Sequence, residues 1–475
     1  MDGYGLLVEF FIHLYYLIKG QKKFRMNILM FQNLWNKLTS LFSKKHSKIL
    51  TGSLWTMVGF SSEMLFRMGS SLILTRIFLP EVFGTMAIVT AIMVGMEMLS
   101  EVGVRTSLIQ NPNAKTINFA QTAWTVQIIR GFFLWSLVFI FSSQLAVHFQ
   151  EPNLTYLLPV AAISLIFKGF TSSNQHLYSR ELGVKKIVLT KGLVQFISIF
   201  SVIILSFIYQ SIWAIVIGSL LSAFLNTLFS FVLFQHFKMR LMLDKQVVRS
   251  ILKIGKWLFF ATMFHFLIAQ GDRLILGSLI NKTELGLYNL AAMFTQIPIS
   301  ILAALSGNIL LPFLAKSFNE KPEHFNQTFN DLLHKILRYM LPLVAALAIL
   351  GNMLIQLLYP EEFHLAGQIL QLLAIASFFQ VISFALIPVL LSRGDSFRHM
   401  LAYLSLLVLY LPGIYLGFKF YGMWGAFYAM CAAQIIWLPI IIALVRMYVQ
   451  LNLLKVAKML GSYLLITLVT ISIIN

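Results

Sequence analysis

Long apolar runs, separated by short segments that carry most of the charged residues, dominate the hydrophobic pattern of this chain. They lie near residues 52–76, 82–104, 117–143, 155–173, 187–209, 211–236, 254–278, 284–312, 332–358, 364–391, 399–418, 422–445 and 459–474. Each is close to the roughly 20 helical residues that cross about 30 Å of hydrocarbon. The runs lack the two-residue alternation of barrel strands, and a segment in lipid must bond its own backbone polar groups. The pattern therefore predicts an all-α polytopic membrane protein.

The Lys and Arg residues predict how these helices are oriented. With the N-terminus in the cytoplasm, 28 of the 36 basic residues fall in or beside the inner segments. The outer loops contain only Lys282 and Lys419. Because cytoplasmic loops carry an excess of Lys and Arg, we expect a multi-pass protein of the cell inner (cytoplasmic) membrane, surrounded by membrane lipids, with a cytoplasmic N-terminus.

Composition agrees with this class. Of the 475 residues, 59% are hydrophobic and 11% charged, with a mean hydropathy of +0.82, whereas soluble domains are about 25% charged. The net charge of +19 would suggest nucleic acid binding in a soluble protein. Here the basic residues follow the loops, so no nucleic acid partner is expected. A lone cysteine, Cys431, argues against a disulfide framework and a thiol metal site, and we predict no metal and no cofactor.

The apolar runs group into two sets of six. The expected organisation is a basic N-terminal segment (1–49), a first lobe (50–236), a basic cytoplasmic linker (237–253), a second lobe (254–446) and an additional C-terminal helix (447–475). Asp2, Glu9 and the lack of a cleavage site disfavour a signal peptide at residues 1–25. Three interpretations of this stretch stay open: an interfacial helix, a further span, or an extension upstream of a start at Met26.

The second lobe repeats part of the first. Shifting residues 55–84 by 202 positions pairs Trp55 with Trp257, Gly69 with Gly271 and Gly84 with Gly286, together with four Leu or Ile matches. Chance among Leu-rich helices is the alternative, but the paired Trp and Gly favour a true repeat. Six intervening helices give both lobes the same direction, which predicts a pseudo-twofold axis along the membrane normal and a site between the lobes.

Several short motifs carry a family resemblance. They are Trp55, LTRIF (74–78), Gly84, LSEVGVRTSLIQ (99–110), DRLILG (272–277), LGLYNLA (285–291) and ILLPFLAKSF (309–318). Their order and spacing over about residues 45–450 resemble the polysaccharide exporters and O-antigen (Wzx-type) flippases of the multidrug/oligosaccharidyl-lipid/polysaccharide (MOP) superfamily. The branch with the colanic-acid and teichuronic-acid exporters is the most similar. The resemblance implies twelve or fourteen helices in two six-helix lobes. A thirteenth helix without a fourteenth departs from it, and a truncated C-terminus is one interpretation.

Charged residues within the predicted helices are the candidate functional residues, because each costs about 2.5–3.5 kcal/mol at a helix centre. Arg130 is the leading candidate for a pyrophosphate group, since a guanidinium binds phosphate oxygens in a fork. A structural pair with Glu97 is the alternative. Lys168 and Lys191 either line the inner mouth and attract an anionic headgroup or extend to lipid headgroups.

Another basic candidate for the headgroup is Arg67. It lies four residues from Glu63, so the two either neutralise one another or Arg67 holds a phosphate while Glu63 orients it.

Coupling and gating have separate candidates. Glu97 and Glu101 could share a proton in a low dielectric, which suggests coupling to H⁺ or Na⁺, although Glu101 also suits a helix-end contact. Asp272 and Arg273 are interpreted first as a structural pair or an outer gate. His265 is interpreted as a packed side chain or a proton relay.

These observations predict a transporter and no catalytic residue, since no Walker A loop or nucleophile with a base is present. The family resemblance implies a flippase that moves an undecaprenyl-pyrophosphate-linked oligosaccharide by alternating access, with other proteins of an export pathway as candidate partners. The alternatives are a cation-coupled multidrug antiporter, a membrane polysaccharide polymerase or glycosyltransferase, and a channel. Acids and bases are similar in number in the first seven helices, so charge alone does not separate exporter from antiporter.

Overall fold

The computed structural model describes residues 47–100, 104, 107–108, 116–180, 184–234, 237–306, 310–320 and 322–474. These residues form helices and connections and contain no strand. Glu101 and all but the last three positions of the predicted segment 1–49 lie outside the described residues. Residues 53–475 form one compact unit.

Every apolar run of the first lobe corresponds to a helix. The helices are α1 (Ser47–Leu74), α2 (Pro80–Leu99), α3 (Ile117–His148), α4 (Leu154–Phe170), α5 (Asn174–Arg180), α6 (Val184–Tyr209) and α7 (Ile212–Leu233). Among these seven helices, the short α5 was not predicted, because its sequence NQHLYSR is polar. It places Gln175 and His176 beside the predicted inner ends of α4 and α6.

The rest of the chain continues the pattern. Its helices are α8 (Lys245–Leu279), α9 (Lys282–Leu305), α10 (Leu311–Glu320), α11 (Phe325–Leu358), α12 (Leu365–Ser392), α13 (Ser396–Arg446) and the additional C-terminal helix α14 (Leu453–Ile474). Among the described residues, nine helices are long and apolar enough to cross a membrane.

Helix α13 contains the break that the hydrophobic pattern predicts between 399–418 and 422–445. Tyr421 has non-helical dihedral angles, and Gly422 has a φ of 61° and a ψ of −149°. Glycine adopts this left-handed φ without the steric cost that a side chain brings. The 51 residues of α13 therefore form two consecutive helical segments that meet at Gly422.

The repeated glycines meet each other where α2 crosses α9. A Cβ built on Gly84 would overlap the Lys282 carbonyl and lie 3.1 Å from the Gly286 nitrogen. A Cβ built on Gly286 would overlap the Pro80 carbonyl and lie 3.1 Å from the Gly84 nitrogen. Pro80 and Lys282 are also 202 positions apart, so the contact is related to itself by a local twofold axis. This local symmetry agrees with the predicted repeat, and small residues allow the two backbones to approach this closely.

Other contacts between the lobes also lie at their predicted outer ends. The Lys282 ammonium donates to the Phe149 carbonyl at 2.6 Å and to the Gly277 carbonyl at 3.0 Å, so it joins the end of α3 to the end of α8. Arg76 donates to the Leu358 carbonyl at 3.4 Å. A buried apolar cluster that includes Ile88 and Phe427 continues across both lobes. The described contacts thus close the molecule at this end.

The predicted linker 237–253 is partly helical. Helix α8 already begins at Lys245, because the Asp244 carboxylate accepts the Gln246 and Val247 N–H groups at 2.8 and 3.3 Å and so caps the helix. The preceding segment is bonded to α3: Gln121 donates to the Lys238 carbonyl at 2.8 Å, and Thr125 accepts the Met242 N–H at 3.0 Å. The linker is therefore held against the first lobe.

Candidate functional site

A cavity of about 630 Å³ lies within the first lobe. Helices α2, α3, α4, α6 and α7 supply its walls, and α5 and Thr171, the residue after α4, contribute at one end. The lining residues are Met86, Val89, Thr90, Met93, Val94, Glu97, Gln127, Arg130, Gly131, Leu134, Ala161, Ser164, Leu165, Lys168, Gly169, Thr171, Gln175, His176, Ile187, Lys191, Ser219, Ser222, Ala223 and Asn226. All lie between residues 86 and 226. This cavity is therefore lined by the first lobe alone, and the site between the two lobes stays a prediction.

Four predicted charged residues line this cavity together: Glu97, Arg130, Lys168 and Lys191. They come from α2, α3, α4 and α6, and three of the four are basic. Glu97 and Lys168 lie near the ends of their helices that are predicted to be cytoplasmic. The charged part of the cavity is thus at its predicted inner mouth, while apolar residues such as Met86 and Leu134 line the deeper part.

The Arg130 guanidinium is oriented by the end of α2. Its Nε donates to the Ser100 Oγ at 2.9 Å, and an Nη donates to the Glu97 backbone carbonyl at 2.5 Å. The last carbonyls of a helix have no intrahelical partner and carry partial negative charge, which favours a cation there. Arg130 is thus bonded to the backbone carbonyl of Glu97, the residue with which the sequence suggested a structural pair.

The Glu97 carboxylate instead pairs with Lys168. Their Oε2 and Nζ atoms are 2.5 Å apart, and the two side chains are 45% and 47% exposed. Pairs this accessible to solvent contribute only about 0.2–1 kcal/mol. An anion entering the cavity can therefore replace the Glu97 carboxylate as the partner of Lys168 at small cost. Lys191 lies on the exposed surface of α6 that faces the same space.

Neutral polar groups on α7 complete the wall. Ser219, Ser222 and Asn226 are spaced three and four residues apart and share one face of the helix. Ser219 and Asn226 donate to the carbonyls of Val216 and Ser222 at 2.7 and 3.1 Å, which leaves acceptor lone pairs on both side chains. Sequence reasoning missed this face, although the polar spacing in an otherwise apolar helix was visible.

Arg67 and Glu63 lie on α1 and are not among the residues that line the cavity. They form the predicted (i, i+4) ion pair at 3.2 Å, with side chains 64% and 53% exposed. Gln195 of α6 donates to the Glu63 carbonyl at 3.2 Å. The role of Arg67 in headgroup binding stays a prediction.

Asp272 and Arg273 are bonded within the second lobe. The buried Asp272 carboxylate accepts the Tyr288 hydroxyl of α9, and the Arg273 side chain donates to the Asn289 Oδ1 at 3.1 Å and to the Ala269 carbonyl at 3.1 Å. An Arg273 Nη lies 3.5 Å from the Asp272 Oδ1. These bonds fasten α8 to α9. His265 is exposed on α8 and is not among the cavity residues.

A second charged cluster closes the predicted inner end of α12 and α13. Asp395 caps α13 by accepting the Arg398 N–H at 2.9 Å, and it also accepts bonds from the Arg398 guanidinium and the Tyr448 hydroxyl. These bonds, led by the Arg398 N–H, lower the pKa of Asp395 to about 2. The Arg393 guanidinium stacks on the Phe318 ring, 3.1 Å from its centroid. The cluster therefore has a structural role.

Metal chemistry has no candidate in the described part of the chain. No group of three or more His, Cys, Asp or Glu residues there could hold a metal ion. The Cys431 thiol is buried and donates to the Leu372 carbonyl at 3.5 Å.

The family described as "Polysaccharide biosynthesis protein" matches residues 73–368, which is more than half of the chain. The chain belongs to this family. The predicted family resemblance is thereby confirmed, and the matched region contains both glycines of the α2–α9 crossing and every residue of the cavity.

Curated relatives are consistent with this assignment. The lipopolysaccharide biosynthesis protein WzxC of Escherichia coli is 20% identical over 394 residues, which cover 82% of this chain and 79% of the relative. The teichuronic acid biosynthesis protein TuaB of Bacillus subtilis is 22% identical over 299 residues, covering 63% of this chain and 62% of the relative. An uncharacterised membrane protein from the cps region of Klebsiella pneumoniae is 21% identical over 381 residues, covering 80% of this chain and 78% of the relative.

Solved structures share the fold. The lipid II flippase MurJ in an inward closed conformation gives a TM-score of 0.64 at 15% identity and covers 88% of this chain and 92% of its own. An inward-facing multidrug resistance transporter of the MATE family, in the MOP superfamily, gives 0.65 at 12% identity and covers 84% and 95%. The predicted all-α polytopic membrane fold is thereby confirmed.

Proposed function

We propose that the chain moves an oligosaccharide linked to undecaprenyl pyrophosphate from the inner to the outer leaflet of the cytoplasmic membrane, with its N-terminus in the cytoplasm. The observation that carries the proposal is the charge of the cavity, where Arg130, Lys168 and Lys191 outnumber the single described acid, Glu97. The names of the relatives WzxC and TuaB and of the structural neighbour MurJ support a polysaccharide or lipid-linked substrate.

The cavity offers the two kinds of contact that such a substrate requires. A pyrophosphate is a dianion or more at neutral pH, and Arg and Lys are the side chains that bind phosphate oxygens. Sugars expose hydroxyls, which bond to neutral acceptors and donors such as those of Ser219, Ser222 and Asn226. We assign the pyrophosphate to the basic mouth and the sugars to the α7 face, while the polyprenyl tail stays in the lipid.

Alternating access would move the headgroup. The lobe contacts at the predicted outer end, through Lys282 and the Gly84–Gly286 crossing, support a state that is closed outside. Release to the outer leaflet requires these contacts to open. Glu97 is the candidate coupling group, because a carboxylate that loses Lys168 to a phosphate can take up H⁺ or Na⁺ in its place. No covalent step is involved, so the proposal is a transporter that works beside the other proteins of an export pathway.

The cavity charge disfavours the multidrug antiporter. An organic cation requires exposed acids, and a space with three bases and one acid among its described lining residues repels it. The relatives' names also give no support to a polymerase or glycosyltransferase.

A flippase-deficient strain that accumulates lipid-linked oligosaccharide tests the proposal. Wild-type protein should lower the amount of accumulated intermediate. In the Lys168→Gln/Lys191→Gln variant most of the accumulation should return, because two of the three cations of the mouth are lost. Arg130→Lys keeps the positive charge but not the forked guanidinium, and we expect a partial loss of transport activity. Lys455→Gln, an exposed lysine on α14, is the matched control, and Arg67→Gln in the same assay tests the α1 pair.

Membrane levels of each variant must be equal for the comparison to count. No complementation by wild type, together with resistance to a cationic dye, would favour the antiporter. Full activity of the Lys168→Gln/Lys191→Gln variant would refute the assignment of the cavity to the headgroup. Collapse of the Na⁺ or the H⁺ gradient, one at a time, then identifies any coupling ion.

A further inference from the structure

A second cavity, of about 490 Å³, opens on the surface of the first lobe at the predicted inner end of α6. Its lining is separate from that of the headgroup cavity and consists of Tyr178, Lys185, Lys186, Leu189, Thr190, Leu193 and Leu233. We call these seven residues the α6 groove. Leu189 and Leu193 are 54% and 50% exposed. Because α6 and α7 are long and apolar enough to cross the membrane, an exposed apolar groove on them faces lipid.

The Lys186 ammonium is fixed at the head of this groove. It donates to the Leu233 carbonyl at 2.6 Å, at the C-terminal end of α7. It also lies over the Tyr178 and Phe234 rings, at 5.5 and 5.4 Å from their centroids. A lysine that only extended to the bulk interface would not need these three partners. An ammonium has three donors, so two remain for an oxygen ligand.

A second cation lies beside the first. Lys185 is exposed, and its ammonium is 5.2 Å from the centroid of the Trp55 ring on α1. None of the seven described residues that line the groove is acidic. The groove therefore has two cations at the predicted inner leaflet and an apolar wall that runs from them toward the membrane centre, which is the distribution of charge and apolar surface in a phospholipid.

We propose that the α6 groove binds one anionic glycerophospholipid of the inner leaflet. Its phosphate contacts Lys185 and Lys186, and an acyl chain lies along Leu189, Leu193 and Leu233. The site is distinct from the headgroup cavity and does not depend on which substrate is carried. Bound there, the lipid would join α5, α6 and α7 at their predicted inner ends.

Native mass spectrometry of the full chain in detergent tests the proposal with phosphatidylglycerol and phosphatidylcholine of identical acyl chains. A basic residue near an anionic surface contributes about 1 kcal/mol, so two lysines correspond to roughly a 30-fold preference for phosphatidylglycerol. Lys185→Gln/Lys186→Gln should reduce this preference to about threefold or less. Lys455→Gln/Lys458→Gln, which removes two exposed lysines from the first turns of α14, should leave it unchanged.

A second variant separates lipid binding from folding. Lys185→Gln leaves the bond between Lys186 and Leu233 intact and should lower the preference about fivefold with an unchanged melting temperature. An equal affinity of wild type for both lipids, or an unchanged preference in Lys185→Gln/Lys186→Gln, would overturn the proposal. Displacement of phosphatidylglycerol by an equal concentration of undecaprenyl phosphate would also overturn it, because the groove would then bind the carrier lipid.

Discussion

Replacement of Gly84 by alanine tests the symmetric crossing of α2 and α9. The new Cβ would overlap the Lys282 carbonyl oxygen and lie 2.7 Å from its carbon. These are backbone atoms, so no side-chain rotation can relieve the contact, and the helices must separate. Overpacking costs about 1–3 kcal/mol, and a backbone overlap belongs at the upper end. Alanine is favoured over glycine in a helix by about 1 kcal/mol, which offsets part of this cost. The expected net loss in free energy of unfolding is therefore about 2 kcal/mol.

The local twofold axis leads to two further predictions. Gly286→Ala should cost the same as Gly84→Ala, because its Cβ would meet the Pro80 carbonyl in the equivalent geometry. The double variant should lose less than the sum of the two, since the first alanine already separates the helices and neighbouring sites are not additive. Gly461 on α14 has no atom within 4 Å of its Cβ position, so Gly461→Ala is the matched control and should be neutral or stabilising.

Unfolding of the purified protein in mixed micelles, titrated with sodium dodecyl sulfate and followed by tryptophan fluorescence, gives these free energies. The reasoning would be refuted if Gly84→Ala were as stable as Gly461→Ala. A difference of more than about 1.5 kcal/mol between Gly84→Ala and Gly286→Ala would contradict the symmetry.

Three further predictions follow from single contacts. Lys282→Met leaves the Phe149 and Gly277 carbonyls without their donor; it should destabilise the protein by about 1–3 kcal/mol and speed labelling of a cysteine placed at the outer ends of the lobes. Asp395→Asn should remove the part of the acid dependence of stability that this carboxylate causes. The ionised Asp395 stabilises the fold fully above its unfolded pKa near 4, and this stabilisation is lost as the pH falls through the folded pKa of about 2. The melting temperatures of wild type and variant should therefore converge below pH 2. Trp124→Phe removes the 2.9 Å bond to the Phe170 carbonyl and should lower the free energy of unfolding by about 1 kcal/mol beyond its packing loss.

Helix positions follow from the sequence because the hydrophobic pattern responds directly to the bilayer. Each apolar run became a helix, and even the break near Gly422 was visible as a gap between two runs. The ends of the helices were less predictable. Helix α8 starts at Lys245, within the expected linker, because the Asp244 cap and the contacts of the preceding segment with α3 determine where the helix begins. A polar connection of this kind has no periodicity that distinguishes helix from loop.

The residues that line the cavity were easier to predict from the sequence than the hydrogen bonds and ion pairs that they form. Arg130, Lys168, Lys191 and Glu97 were singled out because charge in a membrane helix is costly, and they do line one cavity. Their partners could not be predicted: Lys168 pairs with a carboxylate 71 residues away, and Arg130 donates to the Ser100 hydroxyl and to the Glu97 backbone carbonyl. Helical spacing gives the face of a residue but not the neighbouring helix.

The two lobes differ in how they compensate their buried charges. In the second lobe, Asp272 and Arg273 are satisfied by Tyr288 and Asn289 on the adjacent helix, and little is left for a ligand. The position equivalent to Asp272 in the first lobe, 202 residues earlier, is Ser70, whose hydroxyl bonds only within α1. The first lobe places its charges instead on helices that surround open space, where Glu97 and Lys168 stay half exposed. The repeat thus keeps its backbone crossing but redistributes its charges, so that the proposed ligand site lies in one lobe while the charges of Asp272 and Arg273 are bonded between helices of the other.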